Sequence, residues 1–270
     1  MDDRPIGVFD SGLGGLTTVR ELCRLLPEED IVYFGDTGRV PYGSRSRETI
    51  VKYARQDVAF LRTFDLKTIV IACGTVSTTA LDVLAAENPI PVLGVVAPAA
   101  RAAARATRSG SIGLIGTQAS IRSGAYERLI RAENPAARVL AQPCPLFVPL
   151  VENGRFRPGD VVIETVAAEY LAPLKEAGVD TLVLGCTHFP LLEKVIGAYM
   201  GPEVRLINSG AEGARAAADC LRERDALAGP GRGSCRCFVS DRQEDFSRLA
   251  STFLGWDVAQ AVEQVDISQY

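Results

Sequence analysis

Short runs of β-branched and aliphatic residues alternate along the chain with longer stretches whose apolar positions recur every three or four residues. The short runs read as strands covered on both faces, because a half-exposed strand would alternate apolar with polar. They fall at 6–9, 30–34, 68–72, 92–96, 112–115, 139–141, 181–185 and 204–207. The periodic stretches predict helices over 15–26, 47–63, 76–87, 97–107, 120–133, 159–177, 190–200 and 211–227. Strands alternating with helices give βαβ units and a mainly parallel sheet. The stretch 228–234 is a loop by composition. Beyond it the pattern predicts a strand at 237–240 and a helix over 241–254 capped by Asp241. This tail has too little core to stand alone and is expected to pack back on the first half.

The plan looks duplicated. Ile6-Gly7-Val8-Phe9 matches Ile112-Gly113-Leu114-Ile115, and each run precedes a cysteine by a similar interval: 66 residues from Gly7 to Cys73, 73 from Gly113 to Cys186. Cys73 ends the run that starts at Thr68, and Cys186 ends the run that starts at Thr181. Each therefore stands where a buried parallel strand stops and a helix is predicted to begin. In open α/β sheets that edge is where ligands bind.

Composition narrows the class. With 270 residues, 47% hydrophobic and 23% charged, the chain reads as a soluble globular protein of one or two domains. A net charge of −4 gives no footprint for nucleic acid or an anionic membrane. No apolar run is long enough to span a bilayer, and Met1–Pro5 does not read as a signal peptide. Seven cysteines cannot all pair within one chain, so reduced thiols and a cytoplasmic location are expected.

Two thiols from two halves point to chemistry on both faces of one small substrate. A thiolate is the active form, and the N-terminus of a following helix is expected to lower a cysteine pKa. A buried free cysteine often serves only as a small hydrophobe. Two in matching settings, each followed closely by a threonine (Thr75, Thr187), favour function. His188 is the one histidine in the chain and stands two residues after Cys186, where it can act as a proton partner. Asp10 and Ser11 follow the first strand and lead into Gly12-Leu13-Gly14-Gly15, which is neither a dinucleotide fingerprint nor a P-loop. Asp10 is read as a carboxylate partner for a thiol, with a helix cap as the alternative. Gly43 and Ser44 can supply donors to a carboxylate, and Thr117, Ser120 and Glu152 fall where loops should meet the crevice. Cys23 and Cys220 read as core, and Cys144 shares no motif with the pair. Cys235 and Cys237 lack the further ligands a zinc site needs, so no metal site is assigned.

Thiols on opposite sides of a carbon can invert it, one removing a proton as thiolate while the other delivers one. The charge that develops on a neighbouring carboxylate then needs preorganised donors. No lysine lies beside a glycine-rich phosphate cradle, which argues against pyridoxal phosphate.

These motifs together resemble the cofactor-independent aspartate/glutamate racemase family. The matching stretches are 6–15, 33–37 with 40–44, 71–75, 115–117, 151–154 and 184–188, and the tail from Phe238 to Asp266 also resembles that family. Histidine at 188 favours its glutamate branch. The resemblance implies an α/β fold of two pseudo-symmetric, doubly wound domains with mainly parallel sheets. The first would comprise 1–97 plus 208–270 and the second 98–207, with the active site in the crevice between them. It implies racemisation of glutamate without a cofactor, supplying D-glutamate for peptidoglycan, often in a homodimer. Cys73 would act on the D enantiomer and Cys186 on the L enantiomer, assisted by Asp10, His188 and Glu152. Ser11, Pro41, Tyr42, Gly43, Ser44, Gly74, Thr75, Thr117, Ser120 and Thr187 would hold the substrate. Gly74 departs from the family, which usually has asparagine there. Ser120 stands where threonine is common. The N-terminus lacks the extension of forms activated by a peptidoglycan precursor, so no such activation is expected. A racemase of aspartate or another small amino acid, and a non-catalytic amino-acid-binding protein, are the alternatives.

Overall fold

The computed structural model describes residues 1–256 and 262–270, leaving aside the side chains of residues 243–245 and 248. Among the described residues ten strands fall in two sheets, and every pairing is parallel. In chain order the strands are β1 (Ile6–Asp10), β2 (Ile31–Gly35), β3 (Thr68–Ile71), β4 (Val92–Gly94), β5 (Ser111–Gly116), β6 (Arg138–Pro143), β7 (Thr181–Leu184), β8 (Arg205–Asn208), β9 (Cys235–Val239) and β10 (Val262–Gln264). The first sheet runs β10-β9-β2-β1-β3-β4 and the second β6-β5-β7-β8. The order β2-β1-β3-β4 is repeated as β6-β5-β7-β8, so the duplication expected from sequence is present in the topology. Cys73 and Cys186 follow the equivalent strands β3 and β7.

The helices are α1 (Leu16–Leu25), α2 (Arg47–Leu61), α3 (Gly74–Thr79), α4 (Leu81–Glu87), α5 (Val96–Ala106), α6 (Gln118–Arg122), α7 (Ala125–Glu133), α8 (Phe147–Glu152), α9 (Val161–Glu176), α10 (Glu193–Met200), α11 (Ser209–Glu223) and α12 (Gln243–Leu254). Several boundaries follow from caps. The Asn208 side chain accepts from Ala211 N at 3.1 Å and starts α11, and Asp160 accepts from Val162 N at 3.0 Å and starts α9. Two expected helices are broken. The stretch 76–87 divides at Ala80 into α3 and α4, and 120–133 divides where Gly124 takes φ +61° between α6 and α7. The helix expected straight after Cys186 is a 3₁₀ turn, Phe189–Leu192, leading into α10.

The tail returns as expected: β9 pairs with β2, β10 with β9, and α12 packs on α1. Residues 257–261 of the family-like tail lie outside the described residues. Asp241 does not cap α12. Its amide instead donates to Thr37 Oγ1 at 3.0 Å, and Arg242 holds the N-cap position without a side-chain bond.

One apolar core passes under both sheets. It joins Ile6, Val8 and Leu16 of the first half to Ile115, Leu182 and Phe189 of the second, with Phe246 and Phe253 from the tail. Helix α11 packs on both α1 and α5, so the halves are fastened by helices as well as by the crevice. At the far end of the first sheet, Lys67 forms a fully buried ion pair with Glu29 and donates to the carbonyls of Asp2 (2.7 Å) and Ala226 (3.0 Å). This cluster pins the returning 226–234 segment to β2 and β3.

Candidate active site

The carboxyl ends of the two sheets enclose a cavity of about 420 Å³. From the first half it takes Ser11 and Gly12 after β1, residues 40–44 after β2, and Cys73, Gly74 and Thr75 after β3. From the second half it takes Thr117 and Gln118 after β5, Cys144 and Pro145 after β6, and Gly185 to His188 after β7. Helix α8 adds Val148, Pro149 and Glu152. Both half-molecules thus supply a cysteine to one enclosed space.

The two thiols sit in different electrostatic settings. Cys73 is buried, and its Sγ donates to Ser11 Oγ at 3.4 Å. Burial, then the charge of Asp10, pushes this thiol up to about 12, against the Ser11 hydrogen bond and the Val76 amide. The lowering expected from the following helix is therefore overturned: desolvation and a like charge outweigh the amides of a six-residue helix. Thr75 Oγ1 lies 3.0 Å from Thr117 Oγ1 across the crevice, and Ser77 donates to Ile71 O at 3.0 Å.

Cys186 Sγ lies 3.9 Å from His188 Nδ1, and His188 Nε2 lies 3.0 Å from Glu152 Oε1. Burial alone would lower the histidine pKa. Hydrogen bonds to Cys186 and Glu152 outweigh it and hold the imidazole at about 10, so it is a cation at neutral pH. The Phe253 ring meets this imidazole edge-on at 5.5 Å between centroids. An imidazolium here presents a proton and a positive charge to whatever charge develops on Cys186 Sγ.

Asp10 does not line the cavity. It lies behind Ser11 with Oδ2 accepting from Gly12 N at 3.2 Å, and among the described residues its buried Oδ1 has no hydrogen-bond partner. Burial raises its carboxyl above the ordinary range, against the pull of His188 and the nearby amides. Ser120 also stands behind the wall, where its hydroxyl is 3.0 Å from Thr117 Oγ1. The other residues expected at the site line the cavity.

Cavity-wall residues not expected from sequence are Gly12, Val40, Gln118, Cys144, Pro145, Val148, Pro149 and Gly185. Helix α8 carries two of them through a segment whose Pro149 reads as a loop. Its packing of Phe147 against Phe189 and Tyr170 is the apolar signal that marks it. At Gly74, an added Cβ would stand 2.6 Å from the Gly185 carbonyl oxygen. The position is thus too crowded here for the asparagine common in the family. Among the described residues, no group of three or more His, Cys, Asp and Glu side chains is placed to hold a metal ion, and no helix is long and apolar enough to cross a membrane.

A duplicated parallel α/β plan thus brings a cysteine from each half to one crevice. Residues 9–217 match the Asp/Glu/Hydantoin racemase family model, and the chain belongs to that family and is an amino-acid racemase. Its relatives are more specific. It is 49% identical over 256 residues to glutamate racemase of Geobacter metallireducens, covering 94% of each chain. The fold superposes on glutamate racemase isoform RacE1 from Bacillus anthracis with a TM-score of 0.93, 38% identity and 98% of each chain covered. It also superposes on glutamate racemase from Francisella tularensis in complex with D-glutamate, with a TM-score of 0.92, 37% identity and full coverage of both.

Proposed function

We propose that this protein racemises glutamate by two-base proton transfer between Cys73 and Cys186, without a cofactor. The observation that carries the reading is the pair of cysteines, one from each of two equivalent strand ends, that line one cavity. A single base tends to return a proton to the face it left, whereas two bases exchange it across the carbon. Taking L-glutamate, Cys186 as thiolate removes the α-proton and Cys73 as thiol delivers one to the opposite face. Its high pKa suits Cys73 to the donor role in this direction. In the reverse direction Cys73 must first lose its proton, and Asp10 is the carboxylate assigned to take it. His188, oriented and held as a cation by Glu152, stabilises the thiolate of Cys186 by its positive charge and its Nδ1 proton. Ser11, Pro41, Tyr42, Gly43, Ser44, Gly74, Thr75, Thr117 and Thr187 hold the substrate, with hydroxyls and amides meeting the charge that builds on its α-carboxylate. Ser120 acts through Thr117.

The reading extends to the assembly and the cell. The chain divides into domains at 1–97 with 208–270 and at 98–207, works as a homodimer in the cytoplasm and supplies D-glutamate for peptidoglycan. The test is optical rotation of purified L-glutamate without added cofactor, followed to zero, with α-deuteration of each enantiomer in heavy water. Absence of turnover from either enantiomer removes the assignment. Cys73→Ala and Cys186→Ala should each abolish racemisation, and near-normal rates in either variant exclude a two-base route. Gly74 favours one alternative, a racemase of another small amino acid, which a substrate panel headed by aspartate separates.

A further inference from the structure

Behind the 41–44 wall of the cavity lies a buried cluster with one hydrogen too few. Asp36 and Asp57 are both 0% exposed. Arg39 donates from Nε to Asp36 Oδ2 at 2.6 Å and from Nη2 to Asp57 Oδ1 at 2.8 Å. Its remaining nitrogen donates to Gln56 Oε1 at 2.5 Å. Tyr42 Oη sits between the carboxylates, in hydrogen-bond contact with Asp36 Oδ2 and 3.1 Å from Asp57 Oδ2.

A phenol has one hydrogen, and an ionised carboxylate has none to give. Tyr42 therefore cannot bridge two carboxylates unless one of them is protonated. The donor count decides which. Asp36 receives Arg39, Tyr42 and Ser240 Oγ, the last at 2.7 Å on Oδ1. Asp57 receives Arg39 alone once the phenol's hydrogen is given to Asp36. Charge points the same way. Arg39 is the only cation donating to either carboxylate among the described residues. Two ionised aspartates would leave an uncompensated charge in a fully buried place, which is costly.

We propose that Asp57 is a neutral acid whose Oδ2 donates to Tyr42 Oη, that Tyr42 donates in turn to Asp36, and that this relay positions the 41–44 wall against the substrate. Burial, followed by the neighbouring charge of Asp36, holds the Asp57 carboxyl well above the usual range, in keeping with that proton. The relay reaches across the fold. Asp57 belongs to α2, Tyr42 carries the wall, and Ser240 brings in the returning tail, where it also accepts from Gly38 N at 2.8 Å. Asp57 is a positioning residue, since nothing in the relay but Tyr42 lines the cavity.

The test uses the full chain with Asp57→Asn, Asp57→Ala and Tyr42→Phe. An asparagine keeps an N–H where the acid has its O–H, so Asp57→Asn is the conservative rescue. In the infrared difference spectrum of wild type minus Asp57→Asn near neutral pH, the loss should be the carbonyl stretch of a protonated acid. Loss of carboxylate bands instead overturns the proton assignment. For glutamate turnover, Asp57→Ala and Tyr42→Phe should raise KM about tenfold with kcat held within about threefold, while Asp57→Asn keeps KM within about twofold. An asparagine variant as impaired as alanine overturns the neutral acid. A KM unchanged in both Asp57→Ala and Tyr42→Phe overturns the positioning role. The kinetic arm rests on the glutamate reading, and the infrared arm does not. If wild type leaves glutamate unchanged, that reading falls, and the relay is still decided by the infrared spectrum and by faster amide exchange of residues 42–44 in Asp57→Ala.

Discussion

Gly74→Ala tests whether the approach of two backbones sets the span between the thiols. Gly74 follows Cys73 and Gly185 precedes Cys186, so the methyl is added where the two halves meet beside both cysteines. It would meet the Gly185 carbonyl oxygen at 2.6 Å, where ordinary contact begins at 3.4 Å. The obstacle is not a flexible side chain. Gly185 N donates to Ile115 O at 2.8 Å, and the preceding Leu184 O accepts from Ser209 Oγ at 2.7 Å. Relief must come from moving the turn at Cys73 or from parting the two sheets, and either changes the separation of the sulfurs. The required movement approaches 1 Å, and misplacement on that scale costs roughly 100-fold in rate. The overpacking itself should cost about 1–3 kcal/mol of stability. Circular dichroism at a fixed wavelength follows L-to-D and D-to-L conversion, and urea unfolding of the same preparation reads stability. Both directions should slow together, by roughly 30-fold or more. Gly231→Ala is the control, because no atom lies within 4 Å of its added Cβ. A Gly74→Ala protein whose rates stay within about threefold of the parent refutes the argument, because the sulfurs would then tolerate the displacement.

Glu152→Gln removes one of the two hydrogen bonds that keep His188 at about 10. The imidazole is a cation below that value, so kcat/KM should fall as pH rises through about 10 in the parent, and the alkaline limb should move to lower pH in the variant. A pH–rate profile with an unmoved limb excludes the role given to Glu152. The same histidine has a folded pKa above its ordinary 6.5, so its contribution to stability is complete below pH 6.5 and is lost as pH rises through about 10. Denaturant midpoints across that window, in parent and His188→Gln, should converge at the alkaline end. Lys67→Met leaves Glu29 buried without its partner and should destabilise by about 3–5 kcal/mol in urea unfolding. A loss under about 1 kcal/mol would show that the returning segment does not depend on this pair.

What sequence could supply was the frame. Two cysteines ending apolar runs are visible because a buried parallel strand must be apolar throughout, and the repeat of strand, helix and cysteine carries the topology. Residues 11, 41–44, 75, 117 and 187 fall at strand ends and reach the wall for that reason. Local patterns say less about what loops bring in from elsewhere. Cys144 enters the wall because β6 pairs with β5 in the same register that places Gly116 against Pro143. The split at Gly124 needs a positive φ that an apolar count does not carry. The state of Cys73 is not legible in the sequence for a different reason. A helix N-terminus can be read from sequence, whereas full burial beside Asp10 cannot, and burial is the larger effect.

That last difference gives the two halves distinct parts in a proposed mechanism that looks symmetric on paper. Their strands repeat in the same order, and their cysteines follow equivalent strands. The partners do not repeat. Cys73 is buried near a carboxylate, and both settings keep a proton on sulfur against the pull of the Ser11 hydroxyl. Cys186 faces an imidazole held as a cation by Glu152. A two-base exchange cannot begin with both sulfurs protonated or with both bare, because one must accept while the other gives. Duplicating the backbone alone would make the two sites equivalent and leave that starting state undefined. Asp10 on one side and His188 with Glu152 on the other break the equivalence: in the proposed mechanism the first proton is taken on the side where the sulfur faces a cation. After one turnover the arrangement is reversed, and Asp10 and His188 must restore it or the next substrate must be the opposite enantiomer. On this argument, exchanging the partners' charges, more than altering the thiols' surroundings in general, is what would bias the rates of the two directions.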